Sequence, residues 1–256
     1  MENYKRIVVK VGSAVLTDAN GIVEKRLENL VLLLAKLNQK YEVILVSSGA
    51  VASGYSELQL DKSSIVNKQS LAAIGQPLLM KRYKRAFAKH QIVVAQILVT
   101  SANFDNTNQT THIKEMVDNL LKHKVIPIVN ENDSTVIDEL IIGDNDQLSS
   151  YVAINLNADL LVILSDIDGY YNLNPHENPD AKLQSVVNTI DKAQLEKQPD
   201  PNNKFATGGI VTKLKAAQNM LQNNKPMFLT SGFDLSIIEG YLMNNLHQKG
   251  TLFING

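Results

Sequence analysis

Apolar positions along this chain follow two rhythms. Short runs rich in Val, Ile and Leu stand at IVVKV (7–11), VILVSSG (43–49), QIVVAQILV (91–99), VIPIV (125–129) and LLVILS (160–165). Between them apolar residues recur every three or four positions: over 24–38, after Gly49, over a long stretch at 67–89 interrupted around Gly75 and Pro77, and over 112–123. A further such stretch turns Leu148, Val152 and Leu156 to one side. Continuous apolar runs of this length fit buried strands, and a period near 3.6 fits helices. Strands separated by helices predict βαβ units, hence an α/β fold with a mainly parallel sheet covered on both faces.

After Asn130 comes a polar, acidic connection, ENDSTVIDELIIGDND. From Asp168 to about Pro201 the pattern is irregular and proline-bearing, which predicts a hairpin excursion rather than a new domain. A helix with Ile210, Leu214, Ala217 and Leu221 on one face, a strand from Met227, a helix from Asp234 and a last strand, TLFI, complete the chain. Ligands of such folds bind at the C-terminal ends of the strands, so polar residues there are the first candidates for chemistry.

Composition narrows the class. With 256 residues, 44% hydrophobic residues and a formal net charge of -1, the chain can bury one large core and has no basic block for nucleic acid. There is no cysteine, so thiolate chemistry and disulfides are excluded. No apolar run reaches membrane-spanning length, and the first strand is too short for a signal-peptide core; a cytoplasmic location is the default expectation. His90, His112, His123, His176 and His247 lack metal-ligand spacing, so no metal site is assigned.

The most telling string is ATGGIVTKLKAAQ, where Thr207, Gly208 and Gly209 open a helix that carries Lys213 one turn in. Glycines let backbone N–H groups approach an anion, a helix N-terminus adds unpaired donors, and the lysine adds charge. An ordinary loop-to-helix junction is the plainer alternative. Lys10, at the end of the first strand and followed by Gly12, projects toward the sheet-edge crevice; a solvated strand-end lysine is its alternative. Two lysines from opposite ends of the chain can bracket a transferring phosphoryl group. Asp144 and Asp146 flank Asn145 where a helix begins. Asp144 can serve as a cap, and Asp146 then has another use, holding the two ammonium groups in position. Ser48, Gly49 and Ala50 offer N–H donors at a strand-to-helix turn, and NEND (130–133) mixes amide donors with carboxylates, which suits an amino acid. No GxxxxGK[ST] occurs, because Gly49 to Gly54 is followed by Tyr55 and Ser56, and no GxGxxG follows a strand.

Taken in order, KVGSAVLT, VSSGAVASG, IVNEND, GDND, LSDIDGYY with NPHENPDA, TGGIVTK and GTLF resemble the glutamate 5-kinases of the amino acid kinase family. The resemblance implies a three-layer αβα sandwich formed as one domain over 1–256, with about 1–150 on the amino acid side and about 151–256 on the nucleotide side. It implies transfer of the γ-phosphoryl of ATP, with magnesium, to the side-chain carboxylate of L-glutamate, the first step toward proline. Carried over by position, Lys10, Lys213, Asp146 and Asp144 are the catalytic group, and Ser48, Gly49, Ala50, Asp133 and Asn145 bind glutamate. Lys10, Gly12, Ser165, Asp166, Thr207, Gly208, Gly209, Ile210, Val211, Thr212 and Lys213 form the nucleotide site.

The family further implies a homo-oligomer, proline as feedback inhibitor and hand-off of the product to glutamate-5-semialdehyde dehydrogenase. Ala206 and Ile210 stand where the family usually has glycine and methionine, FDNTNQTTH from Phe104 replaces an arginine-bearing loop, and the chain is expected to lack a C-terminal PUA domain. A related kinase for another carboxylate, or a non-catalytic amino acid or nucleotide sensor on the same fold, are the alternative readings.

Overall fold

The computed structural model describes residues 4–135, 145–175, 177–196 and 209–256. Its strands are β1 (Arg6–Val11), β2 (Thr17–Asp18), β3 (Gly21–Ile22), β4 (Glu42–Ser47), β5 (Val94–Val99), β6 (Ile126–Glu131), β7 (Leu160–Ser165), β8 (Val186–Val187), β9 (Met227–Ser231) and β10 (Thr251–Phe253). The helices are α1 (Ser13–Leu16), α2 (Glu24–Leu37), α3 (Ala50–Tyr55), α4 (Ile65–Ala88), α5 (Ser101–Asp105), α6 (Thr107–Lys122), α7 (Asp146–Asn155), α8 (Lys192–Leu195), α9 (Gly209–Gln222) and α10 (Ser236–Asn244).

Eight strands form one sheet in the order β5-β6-β4-β1-β7-β9-β10-β8, and β2 and β3 make a separate small ribbon. Within the eight-stranded sheet the pairings are parallel except that β10 runs antiparallel to β9, and β2 and β3 pair antiparallel in the ribbon. β1 is central because chain progress from it goes first toward β4 and later, through β7, to the other side; this reversal opens a crevice at the strand C-termini. In β1, Ile7, Val8, Val9 and Val11 are fully buried, as expected for a strand covered on both faces. The alternating register divides the interior: Ile7, Val9 and Val11 pack with α2, α4 and α10, whereas Val8, Ile44 and Val46 pack with α6, α7 and α9. The result is the three-layer αβα sandwich that the rhythm and the resemblance imply.

Three boundaries differ from the sequence reading. The long helix α4 is continuous through Gly75 and Pro77. Gly75 is not a break but a close approach: a Cβ there would lie 1.8 Å from the Ala50 carbonyl oxygen, and one on Gly54 would lie 1.9 Å from the Leu71 carbonyl. These two glycines let α3 and α4 cross backbone to backbone. Helix α6 begins at Thr107, not at 112, because Asn106 caps it by accepting from the Gln109 N–H at 3.1 Å; its polar first turn carries no apolar signal. Strand β5 starts at Val94 because Gln91, at φ +60°, still belongs to the turn that follows α4. The stretch from 168 makes an antiparallel bridge between Tyr171 and Leu183 and then supplies β8, parallel to β10.

Candidate active site

The crevice at the end of β1 gathers charge from three elements. Lys10 is the penultimate residue of β1, Asp146 is the first residue of α7, and Lys213 lies one turn into α9. Lys10 Nζ is 2.5 Å from Asp146 Oδ1, and Lys213 Nζ donates to Asp146 Oδ2 at 3.0 Å. Asp146 Oδ2 also accepts from Thr212 Oγ1 at 3.0 Å, while the Gly209 carbonyl accepts from both Lys213 Nζ and Thr212 Oγ1. All three charged residues are buried, with Asp146 at 0% exposure and Lys10 at 2%. One carboxylate therefore holds two ammonium groups side by side, and the three side chains sum to one positive charge. Such a cluster is costly to bury without good partners, and both Asp146 oxygens have them here.

Lys10 turns into the crevice, and its ammonium is paired there rather than solvated. Strand alternation turns it to the face of Val8, where Asp146 draws the ammonium against the start of α7. Gly12 follows directly, and a Cβ there would stand 3.7 Å from Lys10 Nζ. Among the described residues a Cβ at Gly209, at the head of α9, would meet nothing within 4 Å. Ile210 and Val211 are half-buried in the same first turn. Ser165 ends β7 and donates to Asp166 Oδ1 at 2.9 Å, and Asp166 is exposed. Asp144, Thr207 and Gly208 lie outside the described residues.

Beside the charged cluster runs a chain of neutral amides. Asn145 Nδ2 donates to the Ser47 carbonyl at 3.2 Å and to Asn130 Oδ1 at 2.8 Å; Asn130 Nδ2 donates to Gln76 Oε1 at 2.8 Å; Gln76 Nε2 donates to Gln96 Oε1 at 3.1 Å. Asn130 Oδ1 also takes the Glu131 N–H at 2.9 Å. A carbonyl at one end and an N–H in the middle fix which way each amide faces. Both Nδ2 protons of Asn145 are thereby used within the fold, which leaves its Oδ1 to accept from a ligand. Ser48 follows β4 and donates its N–H to the Val11 carbonyl at 3.3 Å, Gly49 turns at φ +110°, and Ala50 is buried at the head of α3. Asp133 lies two residues past β6 and is joined to this chain by no hydrogen bond among the described residues. Burial, reinforced by the neighbouring Glu131 charge, pushes its carboxyl up to about 6.

Sequence reasoning brought Lys10, Asp146, Lys213 and Asn145 to one place, and saw Asn130 only as part of a motif. It missed Gln76 and Gln96, whose only signal is a polar residue on an otherwise covered face of α4 and a glutamine within β5.

A family model described as the Amino acid kinase family matches residues 5–231. The glutamate 5-kinase of Leishmania donovani is 49% identical over 253 residues, covering 99% of this chain and 96% of the relative. That of Wolinella succinogenes is 48% identical over 257 residues, covering 98% of each. Among solved structures, a carbamate kinase from Giardia lamblia bound to AMP-PNP superposes with a TM-score of 0.66 at 17% identity over 100% of both chains. An isopentenyl phosphate kinase of T. acidophilum gives 0.65 at 16% identity, covering 97% of this chain and 100% of that one. The fold is shared across these enzymes, while the near-full-length sequence similarity is to one branch, so the chain belongs to the amino acid kinase family, among the glutamate 5-kinases.

Proposed function

We propose that this chain transfers the γ-phosphoryl group of ATP to the side-chain carboxylate of L-glutamate, giving L-glutamyl 5-phosphate and ADP. The observation that carries this reading is the single buried carboxylate of Asp146 gripping Lys10 and Lys213 from two different elements at the sheet's C-terminal crevice. A glutamate side-chain carboxylate has an ordinary pKa of about 4.3, so it is ionised at neutral pH and needs no base. One of its oxygens forms a bond to the γ-phosphorus as the bond to the β,γ-bridging oxygen breaks, and ADP leaves with that electron pair. The difficulty is electrostatic, because two anions must meet and negative charge spreads over the transferring oxygens.

Lys10 and Lys213 answer that difficulty by neutralising oxygens on the transferring group, and Asp146 keeps them from splaying apart. Gly12 and the α9 head, Gly209 to Thr212, give the phosphates close backbone approach, with Thr207 and Gly208 assigned to the same grip. Ser165 and Asp166 lie on the nucleoside side. Asn145 Oδ1 accepts from the glutamate ammonium, Asp133 balances its charge, and the Ser48 to Ala50 turn takes a carboxylate. The part to about residue 150 thus handles the amino acid and the rest the nucleotide. Magnesium would be carried on the ATP phosphates and water, with Asp144 the candidate to meet the ion or its waters. When bound, magnesium supplies further charge neutralisation.

The acyl phosphate product is hydrolytically labile, which suits direct consumption by a reductase such as glutamate-5-semialdehyde dehydrogenase. The same reading carries proline as an inhibitor of the amino acid side, a homo-oligomeric assembly and a cytoplasmic setting. No helix among the described residues is long and apolar enough to cross a membrane. The test is ADP release with magnesium and ATP across glutamate, N-acetylglutamate, aspartate and carbamate, with hydroxylamine trapping of acyl phosphate. Glutamate-dependent ADP and hydroxamate are expected; silence with glutamate overturns the reading.

A further inference from the structure

The Ser48–Gly49 peptide lies at the edge of the proposed amino acid site, and its orientation is held from behind. Ser47 Oγ donates to the Ser48 carbonyl at 3.0 Å and sits 2.8 Å from the Tyr83 hydroxyl. A serine hydroxyl has one proton, so with that proton on the Ser48 carbonyl the Tyr83 O–H must donate to Ser47 Oγ. Tyr83, on α4, is fully buried, and burial pushes its phenol up, so it stays a donor at any working pH. Ser47 shares the α4 side of the sheet with Val43 and Leu45, as period-two alternation requires.

In a trans peptide the C=O and the following N–H point in opposite directions. With the Ser48 carbonyl drawn toward α4, the Gly49 N–H faces away from α4, to the side of the sheet where Lys10, Asp146 and Lys213 lie. Among the described residues no protein group accepts from that N–H. The backbone angles bear the imprint of this choice. Gly49 has φ +110°, and turning the peptide over would bring it to about −70°, an angle open to any residue.

We propose that Tyr83 is a positioning residue: acting through Ser47, it locks the Ser48–Gly49 peptide with its N–H turned toward the carboxylate of the amino acid substrate. This rests on the glutamate kinase reading for the identity of the ligand, but not for the lock itself. Tyr83 is 36 residues from Ser47 in sequence, and nothing in the motif around Gly49 points to it.

The test labels the intact protein with 13C-carbonyl serine and 15N-glycine. Only the Ser48–Gly49, Ser53–Gly54 and Ser231–Gly232 amides then give correlated signals. In Tyr83→Phe and in Ser47→Ala the first signal is expected to shift or broaden, with the Ser231–Gly232 signal unmoved. The glutamate KM should rise roughly 3- to 10-fold with the ATP KM unchanged, the effect of losing one hydrogen bond. The double variant should be no worse than Ser47→Ala alone, because both changes cut one relay. A Ser48–Gly49 signal that coincides with wild type in both single variants, or an unchanged glutamate KM where the signal has moved, overturns the proposal. A purely structural role would lower the melting temperature and leave both readouts in place. If wild-type protein phosphorylates no glutamate, the functional reading fails and the amide signals alone decide the lock.

Discussion

The two halves of the site are built from different materials. On the side of β1, α7 and α9, three charged groups are buried together, and one carboxylate divides itself between two lysines. On the side of β4, α4 and β6, the groups linked to one another are neutral amides and hydroxyls, each turned by a hydrogen-bonded neighbour. Charge acts over distance and tolerates small displacement, which suits the spreading charge of a phosphoryl group in motion. A directional amide tolerates little, which suits recognition of a ligand that must be told apart from close relatives. Changes on the charged side should therefore strike turnover, and changes on the neutral side should strike the KM of one substrate.

The largest effect is expected for Lys213→Ala. Removing a preorganised cation from the transferring group should lower kcat by about 10²–10³, or roughly 2.7–4 kcal/mol of transition-state stabilisation, with a smaller change in the glutamate KM. Steady-state kinetics with both substrates varied will check this, and wild-type turnover would break the assignment of the charged side to chemistry. Next in size is Gly75→Ala. The added Cβ would fall 1.8 Å from the Ala50 carbonyl oxygen, so α3 and α4 must separate. A loss of about 3 kcal/mol in urea unfolding is expected, the upper range for overpacking. In the protein that remains folded, the glutamate KM should rise while the ATP KM holds, since α3 carries the turn on the amino acid side only.

A third change tests the amide chain directly. Asn130→Ala removes the acceptor of the Asn145 Nδ2 proton and leaves that donor and the Gln76 carbonyl without their partner. An unsatisfied buried polar group costs about 1–3 kcal/mol, and here the loss should surface as a weaker glutamate KM rather than a lower kcat. A fall in kcat with the glutamate KM unchanged would place Asn130 with the charged half instead.

What the sequence made legible follows the same division. The parallel sheet could be read because β1, β4, β6 and β7 each carry an apolar run of three to five residues, broken mainly by polar residues near the strand ends, a pattern that suits burial on both faces. Lys10, Asp146 and Lys213 could be read because charged residues at the starts of helices and ends of strands are few and stand beside glycines. The neutral side was harder. Gln76 and Tyr83 sit in the middle of α4, where one is an ordinary polar residue and the other an ordinary core aromatic until the partner strand is in place. Gly75 was misread as an interruption for a related reason: its meaning lies in the Ala50 carbonyl 25 residues away, and no local pattern contains that contact.

The smallest and most discriminating effect concerns pH. The Asp133 carboxyl is raised from an ordinary 3.8 to about 6, first by burial and second by the Glu131 charge. In the folded protein it therefore holds a proton that the unfolded chain has released between about pH 4 and 6. Its contribution to stability is full below 3.8 and is lost as pH rises through 6, so Asp133→Asn should flatten that slope in urea titrations. Binding has the opposite sign, because only the ionised carboxylate balances a glutamate ammonium. The glutamate KM of the wild type should rise as pH falls below about 6, approaching tenfold one unit lower, while the ATP KM changes little. Neither the side-chain carboxyl nor the ammonium of free glutamate titrates between about pH 5 and 7, so such a rise belongs to the protein. In Asp133→Asn the glutamate KM should be high and flat over the same range. A wild-type KM that is itself flat there would remove Asp133 from the substrate site and leave recognition of the amino acid to Asn145 and its amide chain.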